Sequence, residues 1–239
     1  MKNFIFLPFF LFTLGYAQNE TSEWYFGIQL GAGSSYRTLD PQNEIAALVV
    51  SFRNESEVPI IGQNGGFVIG RKLNDHFWIE SGVQFSRLGL VERVQVDTLT
   101  GSSIPGFPPP ASPMSGELSM FDLFYHVNIP LLVKAYTNTG KLRGFFFLGP
   151  QVNISVAEQL RSVFVSENGV AIFEDDLQAN FNPLIISLIG GGGFSYQFHE
   201  NFSLEARFLA RRDITPVADE PVRQQMHYVA GNLGVLFHF

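Results

Sequence analysis

Asn232-Leu233-Gly234-Val235-Leu236-Phe237-His238-Phe239 is the stretch of sequence that decides the fold. Every second residue is large and apolar, which is the period of two that gives a β-strand one apolar face. A strand with aromatic residues on one face is an aggregation hazard in water when its edge is unpaired. The same strand is stable when it completes a closed barrel and turns that face to lipid. The stretch therefore favours a membrane barrel over the alternative, a soluble sandwich that ends in a buried strand.

The same stretch resembles the signal by which outer-membrane barrels are recognised by their assembly machinery. In that signal a polar residue, a glycine and two aromatic residues end on a terminal phenylalanine. The corresponding residues here are Asn232, Gly234, Phe237 and Phe239. The resemblance implies that these residues form an assembly signal and that the barrel-assembly machinery is a partner during biogenesis. It also implies a multi-pass β-strand protein in the outer membrane of a Gram-negative cell.

The N-terminal residues have the pattern of a secretory signal peptide. Met1-Lys2-Asn3 is a short positive start, Phe4 to Leu14 is an almost wholly apolar run, and Gly15-Tyr16-Ala17 supplies the small residues of a cleavage site. The apolar run is shorter than the ~20 residues that a membrane-spanning helix needs, although a short anchor helix is an alternative. We therefore expect residues 1–17 to be a cleaved signal peptide and residues 18–239 to form the barrel domain.

The composition excludes several classes of protein. The sequence has no Cys, which rules out disulfides, thiolate metal sites, a catalytic thiol and a lipidated cysteine. A formal net charge of −7 offers no basic surface for nucleic acid. After the signal peptide no apolar run approaches the roughly 18 residues of a membrane helix, so any segment that enters a membrane does so as a strand.

Eight segments of the mature sequence have the pattern of strands. They are predicted at Trp24–Gly33, Gly62–Lys72, Phe77–Gly89, Phe121–Tyr136, Arg143–Ala157, Leu184–Phe198, Phe202–Arg212 and Gln225–Phe239. Long connections alternate with turns of a few residues, as in a barrel with one end in the periplasm and the other outside. We therefore predict an all-β fold, an eight-stranded antiparallel up-and-down transmembrane β-barrel with short periplasmic turns and long outer loops.

Two of the long connections have a distinctive composition. The segment from Leu90 to Leu118 contains the Pro-rich run 104–113, which cannot lie inside a strand or a helix. We expect this segment to be an excursion out of the membrane. A polar stretch before Asn182 is expected to be a second long loop. Its acidic residues suggest a divalent cation site, although a solvated loop is the plainer interpretation; they are Glu174, Asp175 and Asp176.

Further stretches resemble the porin-family, PorT-like outer-membrane β-barrel proteins common in Bacteroidetes. The more distinctive elements are Ile129-Pro130-Leu131-Leu132 and Leu148-Gly149-Pro150, while Gly65–Gly70, Phe77–Ser86 and Phe202–Arg207 match in a more general way. The resemblance covers essentially the whole mature chain, and the Pro-rich run departs from it. It implies an outer-membrane barrel, and some members of that family belong to a gliding and type IX secretion machine.

Strand alternation places six ionisable side chains on the predicted interior of the barrel. They are Glu80, His126, Lys134, Glu205, Arg207 and Arg211. The lumen of an eight-stranded barrel is just wide enough for side chains to fill, and buried charges have to be paired. We therefore expect a luminal polar network of ion pairs. A narrow ion or proton path along the same residues is the alternative.

Catalysis is not expected. A barrel enzyme such as a lipid A deacylase or an outer-membrane protease needs a histidine within reach of a serine or of paired carboxylates. The histidines lie in short turns, on strands without a nucleophile motif, or next to the last residue; they are His76, His126, His199, His227 and His238. We expect no catalytic residue, no cofactor and no metal.

The expected function is that of a small outer-membrane barrel of structural, binding or secretion-accessory type, with a lumen filled by side chains. A narrow porin-like channel is the alternative. A soluble lipocalin-like carrier is a further alternative, but it would need a hydrophilic exterior, whereas the aromatic residues here lie on the apolar face. The expected partners are outer-membrane lipid and a protein or polysaccharide at the outer loops.

Overall fold

Ten strands and one helix make up the described part of the chain. The computed structural model describes residues 23–99, 114–166, 169–176, 182–218 and 222–239. The strands are β1 (Trp24–Pro41), β2 (Glu57–Pro59), β3 (Ile61–Lys72), β4 (Phe77–Leu99), β5 (Met114–Tyr136), β6 (Leu142–Ser166), β7 (Gly169–Asp176), β8 (Leu184–His199), β9 (Phe202–Asp213) and β10 (Val222–His238), and the helix is α1 (Glu44–Ser56).

Eight of these strands close into a barrel. In the order β1, β3, β4, β5, β6, β8, β9 and β10, each strand pairs antiparallel with the next, and β10 pairs with β1. The first and last strands are joined by their backbones: the Trp24 N–H donates to the Phe239 carbonyl at 3.0 Å, and the Phe239 N–H donates to the Trp24 carbonyl at 2.9 Å. The predicted eight-stranded antiparallel barrel is therefore confirmed.

Side chains alternate between the two sides of the barrel wall, as the sequence predicts. On β1, for example, Phe26, Ile28 and Leu30 are exposed on the outside, while Tyr25 and Gln29 are buried inside. The other barrel strands repeat this pattern, so that a continuous apolar band surrounds the barrel. A soluble monomer rarely exposes so large an apolar surface, whereas a membrane barrel has an outward apolar band of this kind.

The three short connections lie together at one end of the barrel. They span residues 73–76, 137–141 and 200–201, as the sequence predicts. In the first of them the Asn74 side-chain oxygen accepts from the backbone N–H groups of His76 and Phe77, at 3.0 and 2.9 Å. Asparagine favours turns because its side chain can bond the backbone two or three residues on. We call this end of the barrel the turn end and the opposite end the outer end.

At the outer end β4, β5 and β6 continue beyond the bounds predicted for them, so those strand bounds are wrong. β4 runs to Leu99 and β5 begins at Met114, so about half of the expected excursion is strand. The Pro-rich run 104–113 and the expected signal peptide 1–17 lie outside the described residues. Beyond the apolar band buried and exposed residues no longer alternate strictly, since the adjacent Leu90 and Val91 are both buried, so the period of two fades from the sequence while backbone pairing continues.

The second expected loop is also largely strand. β6 runs to Ser166 and pairs with β7, so the acidic residues 174–176 lie on β7, with Glu174 opposite Arg161. Together, α1, β2, β7 and the parts of β4, β5 and β6 beyond the apolar band form a projection that we call the outer extension. It comprises residues 44–59, 88–99, 114–124, 157–166 and 169–176.

Helix α1 covers part of the barrel mouth, and the sequence analysis does not predict it. The helix begins after Asn43, whose side-chain oxygen accepts from the Ala46 N–H at 2.8 Å and so caps a free backbone donor. Ala46 and Val50, one turn apart, pack against Leu39 of β1 and Val222 of β10. The described residues contain no helix of the length and hydrophobicity needed to cross a membrane.

Close approach of neighbouring strands explains the glycine run of β8. A Cβ atom on Gly191 would lie 2.0 Å from the Phe208 carbonyl oxygen and 2.9 Å from Cζ of Phe147. Because one of these neighbours is backbone on a paired strand, it cannot move aside at low cost. Glycine at this position therefore permits the close approach of strands inside a small barrel.

We expect Gly191→Val to destabilise the barrel by about 1–3 kcal/mol or to prevent folding, because overpacking against backbone is not relieved by side-chain motion. Urea unfolding in detergent micelles, read from the heat-dependent gel shift of folded barrels, measures the change. The matched control is Gly140→Ala in a turn, where the nearest atom to a new Cβ is 3.9 Å away. Equal stability of the two variants would contradict the close-approach explanation.

Candidate functional site

Four of the six predicted luminal residues meet in one buried cluster. Arg207 on β9 donates from Nη1 and Nη2 to the two carboxylate oxygens of Glu80 on β4, at 2.7 and 2.9 Å. Its Nε donates to Glu205 at 2.7 Å. Lys134 on β5 donates to Glu205 and lies 3.5 Å from Oε2 of Glu80. We call Glu80, Lys134, Glu205 and Arg207 the luminal quartet.

The luminal quartet is balanced in charge and shielded from water. Two carboxylates face two basic groups, and each of the four side chains is at most 3% exposed. Bidentate pairing of arginine with a carboxylate is among the stronger polar contacts in proteins. Removing one member would leave an uncompensated buried charge, which is far more costly than removing the whole set. The four residues therefore depend on one another.

An aromatic layer lies between the luminal quartet and the turn end. Trp78 precedes Glu80 by two residues on the same face of β4, and Tyr136 follows Lys134 by two residues on β5. Their rings meet edge to face at 6.3 Å. The Lys134 ammonium lies 4.2 Å from the centre of the Phe145 ring, within the range of a cation–π contact. Rings thus cover the charged groups on the side of the turns.

Arg211 lies outside the luminal quartet, in a second polar group nearer the outer end. Its Nε is 3.5 Å from a carboxylate oxygen of Asp213, and its Nη1 donates to Asn153 at 3.4 Å. The Ser187 hydroxyl donates to Asp213 at 2.6 Å. The structure therefore places Arg211 in the lumen, as strand alternation predicts, but with partners other than the predicted ones.

His126 is the sixth predicted luminal residue, and it stands apart from both groups. Its side chain is 1% exposed. Neither ring nitrogen has a hydrogen-bond partner among the described residues. The residue faces the lumen but forms no ion pair in the described part of the chain, so the structure does not bring it into a network.

Sequence reasoning misses several inward polar residues because it ends the strands too early. Asp213 continues the inward face of β9 one alternation beyond Arg211, but the predicted strand stops at Arg212. Tyr25 lies on the correct face of β1, yet its hydroxyl contact with Glu80 depends on a partner far away in the sequence. Extending the predicted strand β9 by one or two residues would have identified Asp213 as an inward residue. Nothing in the sequence indicates the contact between Tyr25 and Glu80.

A third charged group, also missed, closes the outer mouth of the lumen. Arg37 donates from Nε to Glu57 of β2 at 3.0 Å and from Nη1 to Gln224 of β10 at 3.1 Å. Its Nη2 is 3.0 Å from Asp122 of β5. One arginine thus ties together β1, β2, β5 and β10. Arg37 lies on the inward face of β1, which the sequence analysis ends at Gly33.

Glu158, on the part of β6 that extends beyond the apolar band, has a perturbed acidity. Burial, opposed by a hydrogen bond from Ser155 and aided by the nearby charge of Asp122, raises the pKa of its carboxyl to about 8. Below that pH the group is mainly protonated. The outer mouth therefore carries less negative charge at neutral pH than its carboxylates would suggest.

The residues of the expected assembly signal divide between the two faces of β10. Asn232 and Gly234 are buried on the inward face, whereas Phe237 and Phe239 are exposed outside. The Phe237 ring lies 5.2 Å from that of Phe202 on β9 and 5.9 Å from that of Phe239. These rings belong to the apolar band near the turn end. Their recognition by assembly machinery stays a prediction.

Two histidines of the described residues lie within hydrogen-bond distance of a hydroxyl group. The nearest arrangement joins Nε2 of His238 to the Ser203 hydroxyl at 2.8 Å. Ser203 is fully buried, so no substrate reaches its oxygen in this conformation. Nε2 of His227 lies 2.9 Å from the Thr38 hydroxyl on the outside of the barrel. Among the described residues no group of three or more potential metal ligands comes together.

We expect Glu205→Ala to destabilise the barrel by about 3–5 kcal/mol, because it leaves Lys134 and Arg207 buried with one carboxylate between them. Equilibrium unfolding in detergent micelles measures the loss. A double variant, Glu205→Ala with Lys134→Met, restores the charge balance and is expected to recover much of it.

The matched control is Lys72→Ala, which breaks two largely exposed ion pairs at the turn end, of 3.1 Å with Asp75 and 3.4 Å with Glu23. Exposed pairs contribute about 0–1 kcal/mol. The role assigned to the luminal quartet would be wrong if Glu205→Ala and Lys72→Ala had the same effect.

One family model and several solved structures are similar to this chain. A family model described as an outer membrane protein beta-barrel domain matches residues 16–210. No curated protein matches the chain. Among solved structures, neisserial surface protein A (NspA) is 10% identical, with 92% of this chain and 100% of that chain covered and a TM-score of 0.41.

Two further solved structures have similar levels of likeness. OprG from Pseudomonas aeruginosa is 10% identical, with 92% of this chain and 97% of that chain covered and a TM-score of 0.44. Ail, the attachment invasion locus protein of Yersinia pestis, solved with the heparin analogue sucrose octasulfate, is 13% identical. It covers 90% of this chain and 99% of its own, with a TM-score of 0.35.

Proposed function

From the premise that this chain belongs to the outer membrane protein beta-barrel domain family, we propose that it is a non-conducting barrel that presents a binding surface outside the cell. The family places the protein in the cell outer membrane. The turn end then faces the periplasm, and the outer extension projects from the cell surface. The proposal goes further in two respects: the lumen is closed, and the extension binds a partner.

The luminal quartet is the observation that carries the closed lumen. Its side chains reach across the barrel from β4, β5 and β9 and bond to one another. The aromatic layer lies on one side of them, and the group around Arg211 lies on the other. An eight-stranded barrel leaves little room beyond such side chains. An ion would have to break buried pairs in order to pass.

The outer extension supports binding rather than a purely structural role. It carries exposed aliphatic side chains in water, with exposures of 78% for Ile45, 73% for Leu48 and 63% for Val170. A barrel with a purely structural role needs no residues beyond the apolar band. Exposed apolar side chains on surface segments are typical of interaction sites. Because these groups are aliphatic, they favour a protein partner over a polysaccharide.

A narrow pore is the second candidate, and the spacing of the inward charges favours it. Ionisable pairs occur at three levels of the lumen: the luminal quartet, Arg211 with Asp213, and Arg37 with Glu57 and Asp122. Charged groups at successive levels are what an ion path needs. For conduction, the quartet would have to exchange partners without unfolding the wall.

We also propose a narrower family assignment for this barrel. The Ile129–Leu132 and Leu148–Pro150 stretches support a PorT-like member of the porin family, and with it a secretion-accessory role in which the partner is another component of the outer membrane. In this proposal the cleaved signal peptide 1–17 directs export of the chain. The assembly signal on β10 directs its insertion into the outer membrane. Catalysis has no part in this proposal.

We expect the protein in planar lipid bilayers to give no ion conductance above the lipid background. Single-channel recording on the folded, full-length mature protein measures this, with folding verified by the heat-dependent gel shift. Glu80→Gln is the companion variant, because it unbalances the luminal quartet without changing its volume. Steady conductance of the wild-type protein that changes with Glu80→Gln would establish the pore instead.

Site-specific photocrosslinking in intact cells is expected to capture a partner protein on the outer extension. A photoreactive residue replaces Leu48 on α1 or Ile172 on β7, both exposed in the outer extension. The control position is Val229 on β10, which is exposed to a similar degree but lies in the apolar band. A discrete protein adduct from the first two positions and not from the third supports binding. Adducts at none of the three would contradict it.

A further inference from the structure

The outer border of the apolar band is marked by basic and aromatic side chains. On β4 the outward residues 77, 79, 81, 83 and 85 are uncharged, and the next outward residue is Arg87. On β9 the outward residues 202, 204, 206, 208 and 210 are uncharged, and the next is Arg212. On β10, counted from Phe237 at the turn end, five outward residues are uncharged and the next is His227. Five outward residues therefore precede each ionisable group.

This spacing places the three ionisable groups at one height. Ten residues of a tilted strand span about 25 Å along the barrel axis, which is the thickness of the apolar band of a membrane barrel. Tyr36 on β1 and Tyr125 on β5 are the outward residues at the same border. Tyrosine and arginine both suit the level of lipid headgroups, because each has an apolar body and a polar tip.

Near Arg212, contacts between neighbouring side chains hold the residues of this border in place. Arg212 is exposed and lies opposite His227 in the register of β9 and β10. The His227 ring stacks on that of Tyr36, with centres 4.9 Å apart and planes at 14°, and bonds to Thr38 at 2.9 Å. Two strands thus hold an imidazole and a hydroxyl beside a guanidinium.

Arg87 lies on the opposite side of the barrel at the same border. Its register partners are Gln63 on β3 and Tyr125 on β5, and neither is acidic. The Nε atom is buried and has no hydrogen-bond partner in the described part of the chain. No ion pair joins Arg87 or Arg212 to any other described residue. Neither guanidinium therefore has an anionic partner among the residues that the structure describes.

We propose that Arg212 with His227 and Thr38, and separately Arg87 with Gln63, bind the phosphate groups of phosphorylated lipid headgroups in the outer leaflet of the membrane. The anion is supplied by the lipid because both arginines lie where the lipid-facing band ends. Guanidinium groups bind phosphate in a bidentate manner, and the neighbouring hydroxyl and amide groups add donors. The apolar residues below each arginine contact the acyl chains of the same lipid molecules.

Native mass spectrometry of the folded, full-length mature protein released from nanodiscs tests this proposal. The nanodiscs contain phosphatidylcholine with a minor fraction of bis-phosphorylated lipid A, and the readout is the number of lipid A molecules retained per barrel. We expect wild-type protein to retain lipid A in preference to phosphatidylcholine. Each of Arg87→Gln and Arg212→Gln is expected to weaken retention about five-fold, the factor expected for one basic residue at an anionic lipid surface.

Two controls make the result specific. Arg93→Gln removes an exposed, outward arginine of the same strand as Arg87, three alternations further from the membrane, and is expected to leave retention unchanged. Arg87→Lys and Arg212→Lys keep the charge and verify that any loss is not a folding defect. Inorganic phosphate added before release distinguishes a lipid headgroup from free phosphate, since it competes only if the acyl chains contribute nothing.

The outcomes separate clearly. Loss of lipid A in both glutamine variants, with retention in Arg93→Gln and in the lysine variants, supports the two sites. An equal loss in Arg93→Gln would show diffuse attraction by net charge and would overturn them. Unchanged retention in the double variant Arg87→Gln with Arg212→Gln would also overturn the proposal. Full competition by inorganic phosphate would reassign the arginines to a free anion.

Discussion

A hydrocarbon layer offers no hydrogen-bond partner to a backbone amide, and the rest of this structure depends on that constraint. Each strand must therefore bond to two neighbours. Here the requirement is met when β1 pairs with both β3 and β10, so that the sheet returns to its first strand. Closure in turn gives every strand an inside and an outside. The apolar band and the charged lumen are two consequences of the same closed sheet.

The interior is layered along the barrel axis. Rings of Trp78, Tyr136 and Phe145 lie nearest the turn end, and the luminal quartet follows them. The group around Arg211 comes next, and the contact of α1 with Leu39 and Val222 lies at the outer mouth. Because the charges are paired within their layers, the same contacts stabilise the wall and obstruct the lumen. Stability and impermeability are therefore coupled properties of this barrel.

The sequence could predict the parts of this fold where the two faces of a strand meet different surroundings. Alternation located eight strands and the inward face that carries Glu80, Lys134, Glu205 and Arg207, because lipid on one side and a narrow lumen on the other impose opposite demands. It located neither the outer halves of β4, β5 and β6 nor α1. Beyond the band lipid no longer requires one face of a strand to be apolar, and on β4 the adjacent Leu90 and Val91 are both buried, so the pairing leaves little trace in the alternation of the sequence.

The partners within the lumen were beyond sequence reasoning for another reason. Alternation tells which side chains face inward, but the stagger between strands decides which of them share a level. Glu80 and Arg207 meet because β4 and β9 face each other across the lumen at the same height. Arg211, two alternations away from Arg207 on the same face, reaches Asp213 and Asn153 instead. Register across the barrel is a property of the closed sheet and is absent from any single strand.

The pairing of β1 with β10 also determines when the barrel can close. Tyr25 on β1 pairs with His238 on β10, 213 residues later in the sequence, so the sheet cannot close until β10 has been synthesised. Contacts between such distant residues carry a large loop-closure entropy and form slowly. Until then β1 and β10 each have an unpaired edge, with Phe26 and Phe237 among the side chains beside it. The chain thus has a long unfolded lifetime built into its topology, and during that interval its apolar faces must be kept apart by something other than the barrel itself.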